Sequence, residues 1–299
     1  MRILISGASG LMGGALTQAL RENGHAVARL VRPGGRAEQG DVRWDPGAAS
    51  IDIAAMEGVE AVVHLSGASI AGGRWTALRK AELRSSRVDT TRVLVDALAH
   101  LHQRPCVFVC ASAIGYYGDR GDEVLVESCA CGTDFLALLA RDWEAEAMRA
   151  EHAGIRTVRL RFGVILTSQG GALPKMLAPL RWGVGGRLGS GRQWMSWVVL
   201  QDAVAVALSA ISDERYSGAI NLVAPNPVRN AEFTRVAAGI LDRPAIFPAP
   251  AFALRLALGE MAQPLLLASE RVRPARLAEL GYSFHFESIE AALVRLLSK

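Results

Sequence analysis

Five short runs of nearly unbroken apolar residues punctuate the first half of the chain: Arg2 to Ser6, Ala26 to Val31, Ala61 to Ser66, Val107 to Ala111 and Thr157 to Phe162. Between them, apolar positions recur at helical spacing over Gly13 to Glu22, Arg87 to Leu101 and Asp134 to His152. Strands apolar on both faces, alternating with amphipathic helices, predict a parallel sheet covered on both sides, a doubly wound α/β unit. From about residue 165 the texture changes, with glycines, prolines and tryptophans predicting loops over a cleft. A helix at Gln201 to Ile211 and a strand at Ala219 to Val223 return to the sheet, and Pro225 to Lys299 reads as helices with short strands. The expected division is a large unit of residues 1–165 plus about 196–224, and a smaller C-terminal α+β lobe of about 166–195 plus 225–299.

Composition narrows the class without changing this picture. With 299 residues, 51% hydrophobic and 21% charged, the chain reads as a folded globular protein. Its 33 basic residues face 29 acidic ones for a net +4, and no basic stripe or recognition motif points to nucleic acid. The opening Met1-Arg2-Ile3-Leu4-Ile5 leaves no room for a signal peptide, and the apolar Pro248 to Ala268 is interrupted by Arg255, Glu260 and Pro264. No membrane partner is therefore expected, and the cytoplasm is the expected compartment. Cys106, Cys110, Cys129 and Cys131 are too few for a disulfide framework and wrongly spaced for zinc, so no metal is expected.

The strongest chemical signal is Ser6-Gly7-Ala8-Ser9-Gly10-Leu11-Met12-Gly13, between the first strand and the first helix. Glycine is needed there because the backbone must turn sharply and approach a pyrophosphate closely, while the helix start offers unpaired N–H groups. Gly7, Ser9, Gly10, Leu11, Met12 and Gly13 are thus candidate cofactor residues of a Rossmann-like unit. Where an acid would grip the ribose hydroxyls of NAD, Val31 is followed by Arg32, with Arg36 close behind and no acid before Glu38. Arginine suits a 2′-phosphate, so NADP(H) is the expected cofactor. Asp45 and the run Leu65-Ser66-Gly67-Ala68 fall at strand ends where adenine and ribose usually lie.

The Gly-x-x-Gly-x-x-Gly spacing resembles that of the short-chain dehydrogenase/reductases. Together with His64-Leu65-Ser66-Gly67, Ser112-Ala113-Ile114-Gly115-Tyr116-Tyr117-Gly118, Gly189-Ser190-Gly191-Arg192-Gln193, Pro225 to Asn230 and Arg271 to Leu277, it resembles the atypical extended branch. Within that branch the chain is similar to the YfcH-like epimerase-family proteins. The resemblance implies a Rossmann domain, NADP(H), a C-terminal substrate lobe and a small-molecule substrate, and it leaves a homodimer open. It does not deliver a reaction.

The superfamily's usual Tyr-x-x-x-Lys pair is missing. Four residues after Tyr116, Tyr117, Tyr216 and Tyr282 come Arg120, Gly121, Ile220 and Phe286, and the corresponding helix positions hold Leu136 and Ala140. The serine slot falls on Ala113, beside Ser112. Ser112, Tyr116 and Tyr117 are then the candidates for catalysis, with packing as the competing role for both tyrosines. Arg192, Gln193, Trp194 and Trp197, with Arg161 and Lys175, are candidates for binding a polar or anionic substrate. An oxidoreductase or epimerase-like enzyme acting on a small polar, sugar- or nucleotide-linked substrate is the leading expectation. A non-catalytic NADP(H)-binding regulator or scaffold is the alternative.

Overall fold

The computed structural model describes residues 1–298. Its first half runs β1 (Arg2–Ser6), α1 (Leu11–Glu22), β2 (Ala26–Val31), β3 (Val42–Asp45), β4 (Ser50–Ile51), α2 (Ile53–Met56), β5 (Ala61–His64), α3 (Ala77–Arg84) and α4 (Thr90–Ala99). It continues through β6 (Val107–Ala113), β7 (Val124–Leu125), α5 (Phe135–His152), β8 (Arg156–Phe162) and β9 (Val164–Leu166). The second half is α6 (Ala172–Arg181), β10 (Trp194–Met195), β11 (Trp197–Val199), α7 (Leu200–Ser212), β12 (Gly218–Leu222), β13 (Val228–Arg229) and α8 (Asn230–Leu241). α9 (Ala251–Leu258), β14 (Arg271–Val272), α10 (Ala275–Glu279) and α11 (Ile289–Leu297) complete it.

Eight strands form one sheet in the order β12-β8-β6-β5-β1-β2-β3-β4, parallel except for β3 against β4. The order reverses direction between β1 and β5, the switch point at which open α/β sheets bind ligands. Strand alternation explains the unbroken apolar runs. Leu4, Val62, Phe108 and Cys110 point to the α4/α5 side with Leu94, Leu98 and Trp143, whereas Ile3, Ile5, Val63 and Val109 point to the α1/α7 side with Leu16, Leu20 and Val206.

A third core gathers Leu173 and Leu177 of α6, Phe233 and Val236 of α8, Leu293 of α11, and Trp197 and Val199. Three expectations change here. The stretch after residue 165 is not loop alone, because α6 forms with Pro174 in its first turn, where no N–H is missed, and Pro179 near its end. The helix expected over Arg87 to Leu101 starts instead at Ala77 and passes through a π turn at Ser85–Asp89 before α4. There the Thr90 and Thr91 hydroxyls bond back to the Ser86 and Arg87 carbonyls. Residues near 275–286 return to the large sheet: Leu277 lies in its core, Tyr282 and Phe284 pack on it, and the buried Asp202 of α7 accepts from the Tyr282 hydroxyl at 2.9 Å and the His285 N–H at 3.0 Å.

Candidate functional site

The cofactor loop is shaped by close backbone approach. Gly7 has φ +72°, and a Cβ on it would lie 2.8 Å from the Leu65 carbonyl carbon. A Cβ on Gly13 would fall inside the van der Waals surface of the Gly7 carbonyl oxygen. Gly10 caps α1 without a side chain, so the helix start presents its N–H groups outward. Leu11 and Met12 open α1, Met12 is buried, and Ser9 is exposed. The ends of β1 and β5 are tied by the Ser6 hydroxyl, which accepts from the N–H groups of Leu65 (3.1 Å) and Ser66 (3.3 Å) and bonds His64 Nδ1 at 2.6 Å. Behind Gly67 and Ala68 sits Arg87, which sequence reasoning passed over. It donates to the Ala68 carbonyl at 3.0 Å, and burial, with Arg79 nearby, pulls its pKa down to about 10.

Arg32 and Arg36 are exposed on the loop after β2. The acids that follow are engaged elsewhere: Arg29 pairs with Asp41 at 2.6 Å and Glu38 at 3.3 Å. Among the described residues neither Arg32 nor Arg36 has a carboxylate partner, which suits them to a phosphate monoester. Asp45 uses Oδ1 to close its own turn, accepting from Gly47 (3.0 Å) and Ala48 (3.3 Å).

His64 is wholly buried, and burial holds its pKa down to about 3. An unfolded histidine takes up a proton below about pH 6.5 while the folded one stays neutral, so stability present above pH 6.5 drains away as pH falls toward 3. Urea midpoints at pH 7.5, 5.5 and 4.5 should show a His64-dependent loss approaching about 1.4 kcal/mol per pH unit, and His64→Gln should flatten that slope. An equal slope in the variant would assign the acid sensitivity to other groups.

At the carboxyl ends of β6, β8 and β12 lies a buried polar cluster. Arg161 of β8 makes a two-pronged pair with Glu144 of α5, Nε to Oε1 at 2.7 Å and Nη2 to Oε2 at 2.9 Å. The Ser112 hydroxyl donates to Glu144 Oε1 at 2.7 Å. Tyr117 accepts from Arg161 Nη1 at 2.9 Å and donates to Asn221 Oδ1 at 2.6 Å. Burial pulls against the Arg161 charge, but Glu144 and Tyr117 outweigh it, so the guanidinium holds its proton more tightly than usual. Burial also pushes the Tyr117 phenol up to about 12, against the pull of Arg161.

This geometry corrects several expectations. Ser112 and Tyr117 are buried and committed to the cluster, leaving them no face toward a substrate, and Arg161 is the cation of that cluster rather than a ligand contact. Trp197 is fully buried in the small-lobe core, its Nε1 donating to the Asn226 carbonyl at 3.1 Å. Gln193 is structural too, its amide donating to the carbonyls of Leu188 (3.1 Å) and Leu266 (2.9 Å). Lys175 and Arg192 are exposed.

What remains accessible is a rim. Tyr116 is half-buried, its ring covered by the Arg161 guanidinium at 3.6 Å. Trp194 lies between Arg229 (4.5 Å) and Arg271 (4.6 Å), and its Nε1 donates to Asp122 at 2.7 Å. Beside it stands Glu270, which no sequence motif singled out because its neighbours come from distant segments. The Glu270 N–H donates to the Trp194 carbonyl at 3.1 Å, and its Oε1 lies 3.9 Å from where a Gly115 side chain would begin.

The profile of the NAD dependent epimerase/dehydratase family matches residues 3–222, and a domain of unknown function, DUF1731, matches residues 249–296. An epimerase family protein of Mycobacterium leprae is 41% identical over 97% of this chain and 94% of its own length. The crystal structure of the human epimerase family protein SDR39U1 with NADPH superposes with a TM-score of 0.89 at 32% identity, covering 99% of both chains. A nucleoside-diphosphate sugar epimerase from Corynebacterium glutamicum superposes with a TM-score of 0.82 at 36% identity, covering 99% of this chain and 58% of that one. With glycine loop, switch point and C-terminal segment all in place, this chain belongs to the NAD-dependent epimerase/dehydratase family, in its atypical extended short-chain dehydrogenase/reductase branch.

Proposed function

We propose that this chain is an NADP(H)-dependent oxidoreductase or epimerase-like enzyme for a small polar, sugar- or nucleotide-linked substrate. The observation that carries the reading is the glycine turn at an uncapped helix start, followed by two arginines with no carboxylate partner. The backbone of Gly7 to Gly13 would hold the pyrophosphate, Arg32 and Arg36 the 2′-phosphate, and the Leu65 to Ala68 strand end the adenosine side. When bound, the nicotinamide supplies or accepts a hydride. The human relative crystallised with NADPH supports the cofactor, and the likeness to the nucleoside-diphosphate sugar epimerase of Corynebacterium glutamicum supports the substrate class. Toward that substrate, Arg271, stacked on Trp194 and without a carboxylate partner among the described residues, offers a cation suited to an anionic group, whereas Arg229 is paired with Asp122 at 2.9 Å. The commitment of Ser112 and Tyr117 to the buried cluster favours a second reading, a cofactor-binding protein without chemistry.

Thermal-shift titrations with NADPH and NADH, on wild type and Arg32→Ala, test the cofactor. A ligand at 100 times its Kd stabilises the folded state by about 2.7 kcal/mol. NADPH should raise Tm well beyond NADH, and Arg32→Ala should remove most of the difference. Equal responses to both cofactors would refute a 2′-phosphate role for Arg32.

A further inference from the structure

Hydride transfer to or from a carbonyl needs a partner for the proton, and this chain lacks the phenol and ammonium that usually provide it. The positions where they would stand hold Leu136 and Ala140 of α5. The nearby hydroxyls of Ser112 and Tyr117 are buried and committed. We propose that the Glu270 carboxyl is the proton donor and acceptor of this cleft, in place of the absent phenol. The proposal rests on the oxidoreductase reading above.

The backbone around Glu270 is clamped on both sides. The Ser269 N–H donates to Asp119 Oδ1 at 3.1 Å and the Ser269 hydroxyl to the Gly121 carbonyl at 2.6 Å. The Glu270 carbonyl accepts from Ser196 Oγ at 2.8 Å, and Arg271 and Val272 pair with Val124 and Leu125. The carboxyl is the one part left uncommitted. Among the described residues it has no hydrogen-bond donor and no cation: Arg271 lies against Trp194, and Arg161 is held by Glu144. It adjoins Gly115 in the turn after β6, and Leu136 Cβ lies 3.5 Å from the same edge of that glycine. Glu270 and Leu136, which holds the place of the absent phenol, thus flank the same glycine.

The charges around it favour a held proton. Asp119 follows the Ile114–Tyr117 turn, and Asp134 caps α5 through the Ala137 N–H at 2.9 Å. Tyr116 faces from the turn, while Asp122 and Arg229 lie across Trp194. Glu270 is partly accessible yet deep among protein atoms. That burial, with Asp134 and Asp119 adding negative charge, pushes its pKa up to about 8. At neutral pH the carboxyl is mostly protonated and able to donate.

In the reductive direction the substrate carbonyl carbon gains a hydride from reduced nicotinamide dinucleotide, and its π electron pair moves to oxygen. That oxygen takes the Glu270 proton as the O–H bond breaks. The carboxylate left behind regains a proton from water, and the alcohol and oxidised dinucleotide depart. The oxidative direction reverses each transfer.

Two measurements decide the proposal. Carbon-13 NMR of glutamate-labelled protein should show one carboxyl titrating near pH 8 that Glu270→Gln lacks. With NADPH bound, wild type should oxidise it against a panel of small aldehydes, ketones and quinones, and Glu270→Gln should lose at least about 100-fold in turnover while keeping its NADPH-induced rise in Tm. A Glu270 carboxyl ionised by pH 6, or a variant as fast as a working wild type, would overturn the role of Glu270 alone. A wild type that binds NADPH and consumes none of the carbonyls would overturn the oxidoreductase reading and the Glu270 role with it.

Discussion

Replacing Arg161 by methionine should destabilise the protein by about 3–5 kcal/mol, because it strands the Glu144 carboxylate in a buried site. In a chain of this size that is a fall in Tm of roughly 5–8 °C. Glu144, 3% exposed, keeps only the Ser112 hydroxyl and the distant Arg159 (3.5 Å) once Arg161 is gone. Tyr117 loses a donor and Tyr116 the cation over its ring. Glu144→Leu should be comparably harmful, since it leaves the guanidinium uncompensated. The double variant should recover much of the loss, because replacing both members of a buried pair with apolar groups is often close to neutral. Urea unfolding of the four proteins measures the coupling. Additive single effects would mean that the pair is not the source of the instability.

Gly13→Ala should abolish NADPH binding at concentrations that saturate wild type, a loss of at least about 100-fold in affinity, or about 2.7 kcal/mol. The added methyl collides with the Gly7 carbonyl and crowds Ala8 at 2.9 Å, both backbone atoms that cannot rotate away. The turn must open or α1 must slide, and either moves the N–H groups that would cradle the pyrophosphate. Gly14→Ala is the matched control: its methyl would sit 3.6 Å from the Ala8 carbonyl, an ordinary contact, and NADPH binding should survive. Loss of the NADPH-induced Tm rise in Gly13→Ala but not Gly14→Ala is the expected result. Unchanged affinity in Gly13→Ala would remove this loop from the cofactor site.

The central sheet was readable because doubly buried parallel strands carry their own signal. β1 and β2 fall where the apolar runs predict, and the glycines between β1 and α1 announce a turn that only glycine tolerates. The polar cluster was not readable in the same way. Glu144 sits on an amphipathic helix rich in acids and arginines, so nothing local marks it as buried, and its partner Arg161 comes from a strand 17 residues later. Arg161 was singled out for its charge, yet sequence does not say whether a charge faces a ligand or another side chain. Trp197 fell to the same ambiguity, since tryptophan suits a core as well as a cleft. Glu270 escaped notice because its surroundings are made by the fold, when β14 docks on β7 and brings it beside Gly115.

That docking has a further consequence. Matched segments of sequence end at residue 222 and resume at 249, yet the strand pair Arg271–Val124 and Val272–Leu125 runs straight across that border. Heritable module and working part therefore do not coincide. The tail supplies Glu270 and Arg271 beside Trp194 and a core residue, Leu277, of the larger unit. On the function proposed above, divergence confined to the last fifty residues would change which molecules bind beside Trp194 while leaving the dinucleotide grip intact. A swap of tails between relatives should accordingly carry substrate preference with it, provided the seat on Val124 and Leu125 travels too.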